Sequence, residues 1–365
     1  VIRLSVWVCL LGLLGGCVIR RPQAPPRPKN DLTFNTVNLQ QTDEKGRPLW
    51  RLDTPKVTYQ RAQGEAEVDQ PKGMLYREGR LVYTLSAQRA QVKGAGSQIF
   101  LEGNVVLREV TPQGGQAQVR AENVVWLPSL QSIQIPSQLK GSYKGGTLTA
   151  VGGTFSGKSQ RLDLIGPIVG IWPQEQIEFQ TKQLAWLFST QTLVGSVPVK
   201  AVQQTPQGPR QAQGDRLYGD LKTRTLVLQG NAQLTSTKPA VVITAPQIAW
   251  STATGYVTSN NPTQIQYLPE QLTLTAQQGV ASLRQAVIQL TGQASAVAPQ
   301  GHLRGDRLTW VQTTGYVEAV GNVVYEQRQP FSRTQGQQAV GNLLTRTVVV
   351  QGGRVSSLVI PEPRR

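Results

Sequence analysis

The chain has 365 residues, 39% of them hydrophobic, and sets 37 Lys plus Arg against 21 Asp plus Glu for a formal net charge of +16. That apolar share excludes an intrinsically disordered chain and supports one large or two medium domains with a substantial core. The basic excess favours anionic partners such as nucleic acid, anionic lipid headgroups or acidic glycolipid, and by itself does not choose among them.

The first 17 residues, VIRLSVWVCLLGLLGGC, place Arg3 before an apolar run from Leu4 to Leu14, and small Gly15 and Gly16 lead into Cys17. This pattern reads as an export signal. The ending Leu14-Gly15-Gly16-Cys17 resembles the lipobox of bacterial lipoproteins, which implies lipidation of Cys17. The other reading is a plain transmembrane anchor, but the run falls short of the roughly 18 to 20 apolar residues that span a bilayer. The segment from Val18 onward, VIRRPQAPPRPKN, is Pro-rich and basic and predicts an extended tether up to residue 31. With Cys17 lipidated and Cys9 removed with the signal, no disulfide is expected.

Beyond the tether the chain repeats itself. Small or polar residues at Ala87, Ala121, Ala150, Thr181, Asp215, Ala245, Ala276 and Asp306 recur every 29 to 34 residues, and each is read as opening a hairpin. A second landmark follows 14 to 16 residues later, at Gly103, Pro136, Gly166, Gly195, Gly230, Asn260, Gly292 and Gly321. Between landmarks, apolar side chains alternate with polar ones, the period of a strand with one buried face. Polar turns such as Lys222–Thr225, Ser251–Gly255 and Thr313–Gly315 separate the runs. No segment beyond the signal has a 3.6-residue period. The expected fold is therefore all-β, an antiparallel jellyroll or elongated groove of stacked hairpins.

A single hairpin cannot bury its apolar face, so stacked units must build one continuous core or groove. The inward, groove-lining positions are expected to be Ile99, Leu101, Val105 and Leu107; Val124 and Trp126; Leu184 and Trp186; Leu226 and Leu228; Ile248 and Trp250; Ile288 and Leu290; and Leu308 and Trp310. Taken singly, each of these is core more often than ligand contact.

The stretches FNTVNLQQTDEKGRPLWRLDTPKVTY from Phe34, EVDQPKGMLY from Glu67, LSAQRAQV from Leu85 and IFLEGNVVL from Ile99 resemble the OstA-like β-jellyroll family of lipopolysaccharide transport, and in the N-terminal part its LptC branch. Phe34, Gly46, Trp50, Pro71 and Gly103-Asn104 carry the match. The resemblance implies a non-enzymatic component without cofactor or metal, in the periplasm and anchored to the inner membrane. Such a component takes lipopolysaccharide from an inner-membrane ABC transporter and passes it along an apolar groove. Its edge strands, here about Thr33–Gln40 and Gln338–Ser356, would pair with the transporter side and with a periplasmic bridge protein or outer-membrane translocon. The chain departs from the family in having Cys17 where a membrane helix is usual, and in running about 150 residues longer. The extra length reads as a second module, 212–356, after a first of 32–197, with the Pro-, Gln- and Gly-rich Val197–Gly214 between them.

Other signals are weaker. GGTFSGKS, Gly152 to Ser159, satisfies a phosphate-loop pattern, but a strand-like run follows it where a helix is needed, so Lys158 reads as a turn residue. A single His, His302, leaves no two-His zinc site. Glu65 and Glu67 could do glycosidic acid/base work in a polysaccharide-cleaving enzyme, yet solvated surface charge is the simpler reading. The aromatics follow the apolar stripe instead of a basic face, which argues against nucleic acid. A structural or adhesive β-solenoid lipoprotein with a filled interior stands beside the transport reading, because the same stripe predicts both.

Overall fold

The computed structural model describes residues 31–110, 117–342, 345 and 347–360. The expected signal and most of the expected tether, Cys17 included, lie outside the described residues. Among the described residues thirty strands, all paired antiparallel, form one ladder with three single-turn 3-10 segments between them. Among the described residues no helix is long and apolar enough to cross a membrane.

The ladder is folded lengthwise into two layers. Gln98–Glu109 shows how: its first half pairs with Arg89–Lys93 and its second half with Arg80–Ser86. Its neighbour Ala117–Leu127 does the same with Leu139–Tyr143 and Ser132–Ile135. Each long strand thus begins in one layer, bends, and ends in the other. The register slips at every bend, between Glu102 and Val105, Ile165 and Ile168, Gln229 and Ala232, Thr291 and Ala294, and Val320 and Val323. These bulges stack into one corner along the length of the molecule.

Residue chemistry makes the corner. Gly230 and Asn231 have φ of +69° and +46°, and Gly321 and Asn322 have +80° and +49°, two left-handed residues in succession that swing the strand out of its plane. The Asn231 amide donates to Asp215 Oδ2 at 2.8 Å, and the Asn322 amide to Asp306 Oδ2 at the same distance. The Asp215 N–H donates to the carbonyls of Gln229 and Gly230. In these two repeats the landmarks, some 15 residues apart in the chain, therefore touch. This corrects one expectation: Asp215, Ala276 and Asp306 do not open hairpins but sit at the corner, where converging backbones leave room for small or hydrogen-bonding side chains. The hairpin turns fall midway between landmarks, at the two outer margins, and a 31-residue repeat is two V-shaped passes over the corner.

The inner faces are apolar, and aromatic pairs join them. Trp126 of one layer meets Trp50 of the other edge to face at 5.4 Å, and Tyr83 meets Phe155 at 5.0 Å, Tyr143 meets Trp186 at 6.0 Å, and Tyr267 meets Trp310 at 4.9 Å. Glycine makes the room: a Cβ on Gly141 would lie 3.0 Å from the Trp186 ring. Strand pairing runs through Val197–Gly214, where Val199–Gln203 pairs both with Ile177–Leu187 and with Arg210–Gly214. The Gly152–Ser159 stretch is a strand and a hairpin turn, followed by the strand Arg161–Trp172.

Candidate functional site: the open margin

Among the described residues no strand joins the two layers opposite the corner, and their hairpin turns face each other as two lips. On one lip are the turns at Phe188–Gln191, Leu221–Arg224, Thr252–Gly255, Leu283–Ala286 and Gln312–Gly315; on the other are Lys144–Gly145, Pro173–Gln176, Gln204–Pro209, Lys238–Pro239 and Leu268–Gln271. Backbone hydrogen bonds tie successive turns of the first lip, from Leu221 N–H to Gln191, Thr252 to Arg224, Leu283 to Gly255 and Gln312 to Ala286, at 2.8 to 3.0 Å. The first lip is thereby a continuous rail, and among the described residues polar contacts cross from it to the second, such as the Tyr143 hydroxyl on Gln191 Oε1.

In the middle of the molecule the lips part around an opening of about 760 Å³, within the size range of small-molecule sites. Leu234, Val241 and Ile243 from one layer and Ala281, Leu283 and Ile288 from the other line its apolar floor, and Arg210, Arg224, Lys238 and Arg284 stand on its rim with Glu175 as the one acid. The inter-layer aromatic contacts bracket this opening, with Tyr143, Trp186 and Phe188 on one side and Tyr267 and Trp310 on the other. A smaller cavity of about 70 Å³ adjoins it, walled by Tyr143, Trp172, Ile177, Phe179, Leu193 and Leu226. Arg224 and Glu175 line both spaces.

These two residues span the mouth. Arg224 Nη1 lies 2.9 Å from Glu175 Oε1, with the Glu175 side chain 10% exposed and the Arg224 side chain 53%. A second contact crosses beside it, from Arg210 Nη2 to the Leu283 carbonyl at 3.4 Å, while Arg210 Nη1 donates to Gln203 Oε1 at 3.5 Å. Burial pushes the Arg210 guanidinium below its ordinary value, which still leaves it cationic at neutral pH. Arg284 donates to the Ala253 carbonyl and stays on its own lip.

The positions expected to line the groove all point between the layers. Ile99, Leu101, Val105, Leu107, Val124, Trp126, Leu184, Trp186, Leu228, Ile248, Trp250, Ile288, Leu290, Leu308 and Trp310 are buried, and Leu226 is partly buried against them. Of these, Ile288 lines the large opening, Leu226 the adjoining cavity, and Trp310 a third space of about 90 Å³ near the C-terminal end. The basic rim was not legible in the sequence. Its residues lie in turns and strand ends, and the signal that could have flagged them is the placement of Arg224, Lys238 and Arg284 in the polar turns between apolar runs.

Elsewhere the chemistry is that of a surface. Glu65 accepts from Gln91 and faces Lys93 at 3.3 Å, and Glu67 accepts from Gln60. His302 lies among Ser295, Arg304 and Glu326 on the layer that carries Gly301–Gly305. Among the described residues no group of three or more His, Cys, Asp or Glu is placed to hold a metal ion.

Among the described residues the two ends of the ladder are open: Leu32–Thr42 pairs with Pro48–Gln60 alone, and Thr347–Gln351 and Ser356–Ile360 each pair with Phe331–Asn342 alone. Large apolar side chains stand exposed there, Phe34 at one end and Val349, Leu358 and Val359 at the other. The C-terminal edge is formed by these last two strands, while Gln338 lies in the penultimate layer of pairing.

Fold and mouth together define an all-antiparallel jellyroll that is hinged along one side and open along the other, with an apolar interior and a cationic rim. Residues 4–171 match the family model of lipopolysaccharide-assembly, LptC-related proteins. The N-terminal part of the chain, residues 4–171, is thus LptC-related, a family of lipopolysaccharide transport in the cell envelope. The large opening lies beyond the matched residues. The chain has no match among curated proteins.

Proposed function

We propose that the protein is a non-enzymatic conduit: it receives lipopolysaccharide from an inner-membrane ABC transporter and hands it along the cleft towards the outer membrane. The observation that carries this reading is the opening of about 760 Å³ with an apolar floor and four basic side chains on its rim, a shape that suits acyl chains below and acidic groups above. An acyl chain of about 12 carbons left in water costs roughly 10 kcal/mol at about 0.8 kcal/mol per CH₂. The apolar stripe continues through the neighbouring repeats, so cargo pushed from behind advances by parting the aromatic pairs on either side of the opening, and no catalytic residue is needed.

Lipidated Cys17 would hold the chain at the inner membrane, with residues 18–31 as spacer. The free strands then serve as docking edges, Leu32–Thr42 towards the transporter and Thr347–Gln351 with Ser356–Ile360 towards a periplasmic bridge protein or outer-membrane translocon, by strand addition. In this arrangement 32–197 is the module that meets the transporter and 212–356 the one that extends the bridge.

A second reading, a structural solenoid without cargo, is favoured by the aromatic pairs that fill the space between the layers on both sides of the opening. The two separate on incubation of the purified chain with fluorescent lipopolysaccharide and gel filtration. Co-elution that is lost when Ile243 and Ile288 are changed to Asp supports the conduit, provided the variant keeps its far-UV spectrum. No co-elution with the wild-type chain supports the solenoid.

A further inference from the structure

We propose that Arg224 is the anion receptor of the mouth and that Glu175 holds its place until an anionic headgroup arrives, so that the pair is a gate opened by phosphate or carboxylate on an amphiphile. This rests on the reading of the cleft as a lipid site and adds which residues select the cargo.

The geometry makes the pair a partition. Arg224 sits in the turn Leu221–Arg224 of one lip and Glu175 in the turn Pro173–Gln176 of the other, and their 2.9 Å contact stands between the large opening and the apolar cavity around Trp172 and Phe179. Both residues line both spaces, so parting the pair widens the connection between the two apolar spaces.

Charge determines what can part it. Glu175 is nearly enclosed, and a carboxylate there that loses its cation without replacement is left poorly solvated. A neutral headgroup offers Arg224 nothing in exchange. A phosphate or carboxylate does, because the guanidinium fork donates to either in the same two-bonded manner. The incoming anion also gains the field of Arg210, Lys238 and Arg284 on the same rim, an excess of basic over acidic groups that a single native carboxylate does not neutralise. The displaced Glu175 needs a change of side-chain rotamer alone, because the backbone of its turn is pinned from outside: Gln203 Nε2 donates to the Glu175 carbonyl at 3.0 Å, and Gln204 N–H to the Gln176 carbonyl at 2.9 Å. Arg224 is tied likewise, its carbonyl accepting from Thr252 N–H and from the Thr252 hydroxyl at 3.0 Å. Two fixed backbones with a breakable side-chain contact between them is the construction of a latch.

The test is a calorimetric titration of the full chain with tetradecyl phosphate, tetradecyl maltoside and inorganic phosphate, all below micelle formation, for wild type, E175Q, R224Q and the exchanged pair E175R/R224E. The gate requires a crossover. R224Q should bind tetradecyl phosphate at least tenfold more weakly than wild type yet bind the neutral maltoside more tightly, because the latch is gone along with the receptor. E175Q should bind both amphiphiles more tightly. The exchanged pair should again exclude the neutral amphiphile, which separates a latch from a mere loss of folding. Inorganic phosphate should bind far more weakly than tetradecyl phosphate. If R224Q shifts both amphiphiles in the same direction, or if neither R224Q nor E175Q shifts either amphiphile, the cleft still takes amphiphiles and the gate is wrong. If inorganic phosphate binds as tightly as the amphiphile, the rim is a free-anion site and the gate is wrong. If no form of the protein binds either amphiphile, the lipid reading itself falls and the gate with it.

Discussion

Trp126→Ala tests whether the aromatic pairs, and not the strand ladder alone, hold the two layers together. Trp126 is 1% exposed, its ring meets Trp50 of the opposite layer at 5.4 Å and 76°, and a Cβ on Gly73 would be 3.4 Å from it. Truncating a buried aromatic of this size costs about 3–5 kcal/mol. The edge-to-face contact with Trp50 accounts for about 0.5–1.5 kcal/mol of that beyond area burial, so a cycle of W126A, W50A and the double variant should show a coupling of that size. In a stacked ladder each unit contacts its neighbours, which makes the damage local. Native-state hydrogen exchange should accelerate in Lys72–Arg77, Arg80–Ser86 and Ala117–Leu127, and leave Gly301–Val311 and Tyr316–Gln327 protected as before. Equal acceleration at both ends, or a coupling of zero, would refute the argument that the layers are zipped unit by unit.

Three further outcomes rest on the corner, the His302 cluster and the C-terminal edge. Gly230→Ala puts a Cβ 2.6 Å from Asp215 Oδ2 at a φ of +69°, and should cost about 1–3 kcal/mol as strain at the corner, read as a lower urea midpoint with an unchanged slope. His302 is held below its ordinary imidazole value, first by burial and then by Arg304, with Glu326 opposing and Arg328 adding to the shift. The unfolded chain therefore takes up the proton more readily: its contribution to stability is whole above about pH 6.5, falls as the pH drops from there through the lowered folded value, and should vanish from the pH profile of H302Q. Removing residues 347–365 takes away both C-terminal edge strands and should abolish capture of the next bridge component while leaving the urea midpoint nearly unchanged; undiminished capture would rule out docking at that edge.

The strands themselves were legible because a half-buried strand writes its burial into every second residue, and Ile99, Leu101, Val105 and Leu107 or Ile288 and Leu290 do so without ambiguity. The bends were half legible. Gly103-Asn104, Gly230-Asn231 and Gly321-Asn322 stood out as landmarks, but spacing along the chain does not say that Asp215 and Asn231 touch, and so hairpin and corner were interchanged. The mouth was illegible for a physical reason. Glu175 and Arg224 lie on different lips, and whether two turns meet depends on the fold angle of the corner and the twist of the layers, neither of which leaves a period in the sequence. The apolar stripe marks an interior equally well whether it is packed by Trp126 on Trp50 or left open over Ile243 and Ile288.

The most direct test of the conduit is photo-crosslinking in cells, with the reactive side chain placed at Ile243 or Ile288 on the floor of the opening and at the outward Arg108 as control. The account expects lipopolysaccharide adducts at the two floor positions, dependent on cellular ATP, and none at Arg108. A folded, exported protein that gives no adduct at Ile243 or Ile288, or gives it equally at Arg108, would contradict the claim that lipid moves through this cleft.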